Sequence, residues 1–349
     1  MKARSIPRGL GRWLCLGLAC MAATPAHGQD PTLRFGGEIP QDVDTIYERG
    51  LEWLASAQQS DGGWNGGEYP GGCGINGMCL MAFLASGEDP NYGKYASNVR
   101  RAVYAIIQQQ DATTGYLPSS MYHHGFGMLA LSEAYGAVDE SLFPEGQKPP
   151  RTIAQALQLA IGCAVNSERK NQWGGWRYNP DSTDADTSVS GAVLMGLLAA
   201  RNAGMNVPDD VVNNAMEFMR RSTGSDGSVA YAGGFGGMGG SMNLTAVSAL
   251  VSAVSKTKDT DQYKAALARL VDNLQTADAN SYPEYFHYYM AQALFQGDYD
   301  AWQKWNADLV RQLHDAQHDD GSFTGGAYGT GMSLLALALN YRFLPIYER

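Results

Sequence analysis

The feature that most constrains this chain is a joint that keeps returning. Gln59-Ser-Asp-Gly-Gly-Trp64, Gln110-Asp-Ala-Thr-Thr-Gly-Tyr116 and Gln317-His-Asp-Asp-Gly-Ser-Phe323 share a Gln, then acid, glycine and an aromatic residue. Trp173-Gly-Gly-Trp176 and Asp226-Gly227 fall where further copies belong. Copies recur every 40–60 residues or so, which is the signature of repeat architecture. Before each joint runs an amphipathic helical segment: Ile46, Gly50 and Leu54 with Tyr47 and Leu51, then about 95–110, 151–167, 208–222, 260–276 and 301–317. After it runs a more apolar one, at about 76–87, 124–136, 186–203, 243–256, 284–296 and 330–343. A helix apolar on all faces is a buried helix. Two helices cannot bury both faces alone, but six pairs closing on themselves can. The pattern therefore predicts an all-α fold, an (α/α)6 toroid with inner helices around a central cavity.

Composition fits that frame. A length of 349 residues at about 150 per domain gives two domains as a prior, whereas the repeats argue for one ring over residues 41–349. Seven Trp, 19 Tyr and 10 Phe supply the apolar surface that disorder lacks. The 42 glycines show no Gly-X-Y period, so they are punctuation at turns and not collagen. A net charge of −10 speaks against nucleic acid as a partner. Residues 1–28 combine Lys2, Arg4, Arg8 and Arg12 with the apolar run Leu14 to Ala23 and small residues Ala26 and Gly28 before a cleavage point. They read as a secretory signal peptide, followed by a short linker over 29–40. Its removal would take the charge to −14 and leave no run long enough to span a bilayer. The expectation is an exported, periplasmic or secreted protein. Cys73, Cys79 and Cys163 would remain, with a Cys73–Cys79 bridge or three buried thiols as the alternatives.

The Gln-x-x-x-Gly-x-aromatic joints resemble the QW repeats of terpenoid (squalene) cyclases and protein prenyltransferase β-subunits, over about residues 40–345. Trp173-Gly-Gly-Trp-Arg-Tyr178, Asp184-Ala-Asp-Thr-Ser188 and the Leu344-Pro-Ile-Tyr347 ending resemble exported bacterial prenyltransferase/squalene-oxidase repeat proteins. The resemblance implies that each Gln ties an outer helix end to the next helix start, with the aromatic stacked on it. It also implies that an Asp-x-Asp-Asp-Thr-like segment supplies the acid protonating an isoprenoid. That makes Asp184 and Asp186 candidate catalytic residues, though one register puts Ala185 at the donor position and the other puts Thr187 in place of the last Asp. The plainer reading is that one of these acids caps its helix.

The inner helices should all start at one end of the ring, so their first turns line one mouth, where free N–H groups point at a ligand. The candidate cavity residues there are His124, Thr187, Asn243, Tyr285, His287, Tyr288 and Tyr328. His124, His287 and Asp186 have the types of metal ligands, but their spacing demands no ion, and neither metal nor cofactor is assigned. His123 reads as a solvated or packing histidine. Of the cluster Tyr282, Tyr285, Phe286, Tyr288 and Tyr289, one or two rings should face the cavity, where aromatic walls also stabilise cations. Glu284 is a further mouth acid, and Glu133 sits late in its helix as a buried structural acid. Gly234-Phe-Gly-Gly-Met-Gly239 matches a dinucleotide fingerprint but lacks the strand frame it needs. Cys73-Gly-Ile-Asn76 lacks the Gln of an internal thioester. Three function classes follow: a terpenoid cyclase-like lyase or isomerase, a non-catalytic binding module for a small apolar or glycan ligand, and an exported polysaccharide-active toroid enzyme. The last needs two carboxyls about 5–10 Å apart across the ligand.

Overall fold

The computed structural model describes residues 40–67, 69, 71–232, 240–275 and 282–347. The expected signal peptide, nearly all of the linker and the Gly234–Gly239 stretch lie outside the described residues. Twelve α-helices run through them: α1 (Gln41–Ala57), α2 (Cys73–Leu84), α3 (Ala96–Gln109), α4 (Met121–Ala134), α5 (Ile153–Glu168) and α6 (Thr187–Asn202), then α7 (Asp209–Ser222), α8 (Met242–Val254), α9 (Asp261–Val271), α10 (Pro283–Gly297), α11 (Tyr299–Ala316) and α12 (Gly326–Leu337). The only extended pairing among them is two isolated bridges, Asp186–Ala232 and Thr223–Val229. No described helix is long and apolar enough to cross a membrane.

Odd-numbered helices form the outer layer and bury one stripe. In α7 that stripe is Val211, Val212, Ala215, Phe218 and Met219, with Asp209 and Asp210 in the first turn and Arg220 and Arg221 in the last, each sign opposing the helix dipole. Even-numbered helices form the inner layer: α2 buries every residue except Leu84, and α12 every residue except Gly326. Each inner helix packs on the next in the order α2, α4, α6, α8, α10, α12 and back to α2. The ring of six is closed. Close approach within it uses missing side chains; a Cβ at Gly125 would stand 2.5 Å from the Ala192 carbonyl carbon of α6.

The joints explain the glycines. At each of five, a glycine with positive φ is followed two residues later by a buried side chain: Gly62–Trp64, Gly115–Leu117, Gly174–Trp176, Gly227–Val229 and Gly321–Phe323. The first and last of these glycines press on the next pair's outer helix, so closely that a Cβ would lie 2.2 Å from the Arg101 carbonyl at Gly62 and 2.4 Å from the Arg49 carbonyl at Gly321. Only glycine meets both demands, the left-handed φ and the backbone contact. In the second joint the buried slot belongs to Leu117, one residue beyond the expected Tyr116, which lies instead against His124 at 5.8 Å. In the first joint the working glutamine is Gln58, one residue before the expected Gln59.

Gln58 Nε2 donates to the Gly62 and Asn98 carbonyls at 2.8 and 3.0 Å, and Gln110 Nε2 to Gly115 and Ala156 at 3.0 and 2.9 Å. Gln317 Nε2 donates to Gly321 and Ile46, both at 2.9 Å, and so ties the last outer helix to the first. Asn171 holds the Gly175 carbonyl in the third copy. Cys73, Cys79 and Cys163 are free and buried, so the bridge alternative is not realised. Cys73 and Cys79 lie on one helix six residues apart, about 9 Å of rise, beyond the reach of a disulfide.

Candidate functional site: a tyrosine cup at the mouth

The inner helices start at one end of the ring, and their first turns enclose a cup of about 530 Å³. All six contribute: Ile75 and Met78 from α2, Tyr122 and His123 from α4, Ser188 from α6, Asn243 and Leu244 from α8, Tyr285 from α10 and Tyr328 from α12. The loops leading into them add Tyr69, Tyr178, Tyr231, Ser241 and Tyr282. Seven of these lining side chains are tyrosines, and none is Asp, Glu, Lys or Arg.

The cup is shallow because the ring axis beneath it is filled. Helices α4 and α10 stand opposite each other in the ring of six. Tyr122 of one meets Tyr285 of the other with ring centroids 6.1 Å apart, and Phe126 meets Tyr288 at 5.6 Å a turn below. Tyr285 also packs on Tyr289 at 4.7 Å, and Tyr69 on Tyr328 at 4.4 Å. Burial holds the Tyr122 and Tyr285 hydroxyls far above the ordinary tyrosine range, so both remain neutral hydrogen-bonding groups. Four buried polar atoms of the lining have no hydrogen-bond partner: the Tyr122 hydroxyl, His123 Nδ1, Asn243 Oδ1 and the Tyr285 hydroxyl. They come from three different inner helices. An unsatisfied buried polar atom costs about 1–3 kcal/mol, so four in one cup point to an absent partner. Burial also lowers the His123 pKa, favouring its neutral form.

Asp186 stands in the wall behind Ser188. It is the N-cap of α6: Oδ1 accepts from the Val189 N–H at 2.8 Å and from the Ser188 hydroxyl at 2.9 Å. Its Oδ2 is buried without a hydrogen bond, 3.7 Å from Arg177 Nε. Burial raises the Asp186 pKa against the opposing pull of these bonds and of Arg177. Asp184 is exposed and pairs with Arg177 Nη1 at 3.2 Å. The Arg177 guanidinium lies 5.6 Å over the Tyr231 ring, whose hydroxyl donates to that of Tyr178 at 3.2 Å. Thr187 fastens the same wall, its N–H to the Tyr231 carbonyl at 2.9 Å and its hydroxyl to that of Ala230 at 2.7 Å.

The structure divides the sequence candidates. Asn243, Tyr285 and Tyr328 line the cup. His124 does not: its Nδ1 accepts the Leu117 N–H and its Nε2 donates to the Ala160 carbonyl, each at 3.0 Å, and burial pushes its pKa down to about 4. His287 turns outward against Trp305 of α11 at 6.1 Å, and Tyr288 belongs to the plug under the cup. His124, His287 and Asp186 therefore do not converge, and no group of three metal-ligating side chains exists among the described residues. Glu284 and Glu133 are not in the lining.

Sequence reasoning missed His123, Ser188, Ser241, Tyr69, Tyr122, Tyr178 and Tyr231. A signal existed for two: Tyr178 and Tyr231 each stand two residues after the buried joint residue, Trp176 and Val229. No further signal marks the others.

No protein-family model matches the chain, and no curated protein matches it. Solved structures do. An α-1,6-mannanase of Salegentibacter sp. HEL1_6 in complex with α-1,6-mannotriose aligns over 86% of this chain and 99% of its own, with 8% identity and a TM-score of 0.60. A glycoside hydrolase family 76 mannosidase of Bacteroides thetaiotaomicron aligns over 86% and 98%, with 10% identity and a TM-score of 0.63. A type II terpene cyclase of Scytonema in complex with geranylgeranyl dihydroxybenzoate aligns over 90% and 99%, with 14% identity and a TM-score of 0.59. At such identities these likenesses show architecture alone: the chain is an α/α toroid.

Proposed function

We propose that this protein is a non-catalytic binding module whose cup takes a neutral carbohydrate. The observation that carries the reading is that the described lining residues include seven tyrosines and no charged side chain. Ligand sites are mostly apolar cups with a few polar groups that fix orientation, and 530 Å³ lies in their usual range of about 300–1,000 Å³. A sugar ring offers apolar C–H faces to the tyrosines and hydroxyls to Tyr122, His123, Asn243 and Tyr285. A polyisoprenoid would leave those four atoms unsatisfied, at about 1–3 kcal/mol each. The plug at Phe126 and Tyr288 denies a long hydrocarbon its depth. The lack of a carboxylate among the described lining residues and the capping duty of Asp186 favour binding over cyclisation or hydrolysis. The fold likeness includes a mannanase holding a mannotriose, which agrees with a sugar ligand without assigning one. The signal-like residues 1–28 support export, where free glycans are met; mass spectrometry of the purified N-terminus tests that processing.

The test is calorimetric titration with neutral sugars, alongside turnover assays on a polysaccharide and a polyisoprenoid. Binding by the parent, lost in Asn243→Ala and retained in Asp186→Asn, is the expected result. A turnover in the parent that Asp186→Asn abolishes would replace this reading with an enzymatic one.

A further inference from the structure

We infer that the cup holds one residue of a longer neutral glycan, and that Tyr178 and Tyr282 on its rim are stacking platforms for the residues that follow. This rests on the carbohydrate reading above and adds the ligand's length. Among the described residues five large apolar side chains are prominently exposed, and two of them, Tyr178 at 48% and Tyr282 at 55%, belong to the cup lining. The atoms awaiting a hydrogen bond, the Tyr122 hydroxyl, His123 Nδ1, Asn243 Oδ1 and the Tyr285 hydroxyl, are all buried deeper. A single sugar that satisfies those atoms leaves the outer parts of both rim rings facing water. A chain leaving the cup covers them.

The rim is also built to be rigid on one side. The Tyr178 carbonyl accepts the Met121 N–H at 2.8 Å, fixing its backbone to the start of α4. Its hydroxyl accepts from Tyr231, which lies under the Arg177 guanidinium that Asp184 holds. An exposed aromatic ring held this way loses little freedom when a ligand stacks on it, which is what a platform requires. Tyr178 precedes α6 and Tyr282 precedes α10, two places apart around the ring, so the platforms flank the cup and a chain can leave past either. With no cation among the described lining residues, the glycan that fits is neutral and not a uronate or a phosphorylated polymer.

Calorimetric titration of the full chain compares mannose, glucose and galactose with their linear tetrasaccharides and with tetragalacturonate. One neutral tetrasaccharide should bind at least about tenfold more tightly than its monosaccharide. Tyr178→Ala and Tyr282→Ala should each weaken the tetrasaccharide by about fivefold, the scale of one aromatic contact, and the monosaccharide by clearly less. Asn243→Ala should weaken both lengths. Both rim positions are exposed, and circular dichroism with a thermal midpoint confirms that these variants fold. Equal affinity for the two lengths, or rim variants that weaken both alike, overturns the chain proposal and leaves the cup as a monosaccharide site. Tighter binding of tetragalacturonate overturns neutrality. Failure of every saccharide to bind overturns the carbohydrate reading itself.

Discussion

Replacing Gly321 by alanine tests whether the joint glycines are required by contact as well as by conformation. Gly321 has φ 90° and its backbone abuts the Arg49 carbonyl, 2.4 Å from where a Cβ would stand. An L-residue in the left-handed region costs about 1–2 kcal/mol. Relieving the contact means moving the joint away from α1. That motion stretches the two 2.9 Å bonds from Gln317 Nε2 to Gly321 and Ile46, each worth about 1 kcal/mol net. Alanine returns about 0.4–1 kcal/mol by restricting the unfolded chain. The balance is a destabilisation of about 2–3 kcal/mol. With an unfolding entropy of about 2.1 cal/mol/K per residue over roughly 300 residues, the melting temperature should fall by about 3–5 °C. Gly136→Ala is the control: its φ is 82°, yet nothing lies within 4 Å of its Cβ position. That variant feels the conformational term alone and should fall by about 1–2 °C. Scanning calorimetry of both separates the terms. Equal midpoints would refute the claim that the carbonyl contact requires glycine, leaving conformation as the whole cause.

Three further outcomes follow from the buried titratable groups. His124 is held near pKa 4 in the folded chain against an ordinary 6.5, so the unfolded chain takes up a proton that the folded chain refuses. Stability should be intact above about pH 6.5 and fall by about 3 kcal/mol as pH drops toward 4; urea titrations across this range should show a slope that His124→Gln removes. Asp186 carries the opposite sign, since its raised pKa means that ionisation works against folding as pH rises through it. Asp186→Asn keeps a capping oxygen, so its stability relative to the parent should improve from pH 4 to 7 by chemical denaturation, and a relative loss would show that Arg177 dominates. Burial raises the thiol pKa of Cys73 to about 12 and that of Cys163 to about 11, and places Cys79 higher still. In protein that begins after residue 28, Ellman's reagent should therefore find three thiols after denaturation and none before.

The ring was legible because its signals are redundant. Outer stripes such as Val211 to Met219, all-apolar inner helices such as α2 and glycines at fixed places in five joints each point to the same closed layer. What the pattern did not resolve was offset by one residue. Gln58 and Leu117 replace the expected Gln59 and Tyr116 because a run of two glutamines, or of two apolar residues, fits the pattern at either position. The ring's contacts choose between them: Gln58 faces Asn98 of α3, and Leu117 faces the His124 latch.

An offset of one or two residues likewise separates structure from site. Near the start of four inner helices a polar side chain accepts the N–H of the buried joint residue: Asn76 from Trp64 at 2.9 Å, His124 from Leu117 at 3.0 Å, Ser190 from Trp176 at 2.9 Å and Thr330 from Phe323 at 3.0 Å. One turn of an α-helix takes 3.6 residues, so the preceding residue points about 100° away. In α4 that rotation carries the chain from His124, facing the joint, to His123, facing the cup. In α2 it carries it from Asn76 to Ile75, in α6 two steps take it from Ser190 to Ser188, and in α12 two steps take it from Thr330 to Tyr328. A sequence with two adjacent histidines says that one of them is special, but the phase of the helix decides which. That phase is set by where the joint must be latched, so the latch positions, once known, narrow the cup-facing residue to the one or two that precede them. The loop tyrosines obey a different rule. Tyr178 and Tyr231 owe their places to the wall around Arg177 and Thr187, contacts between segments over 40 residues apart, and no periodicity within one helix encodes those.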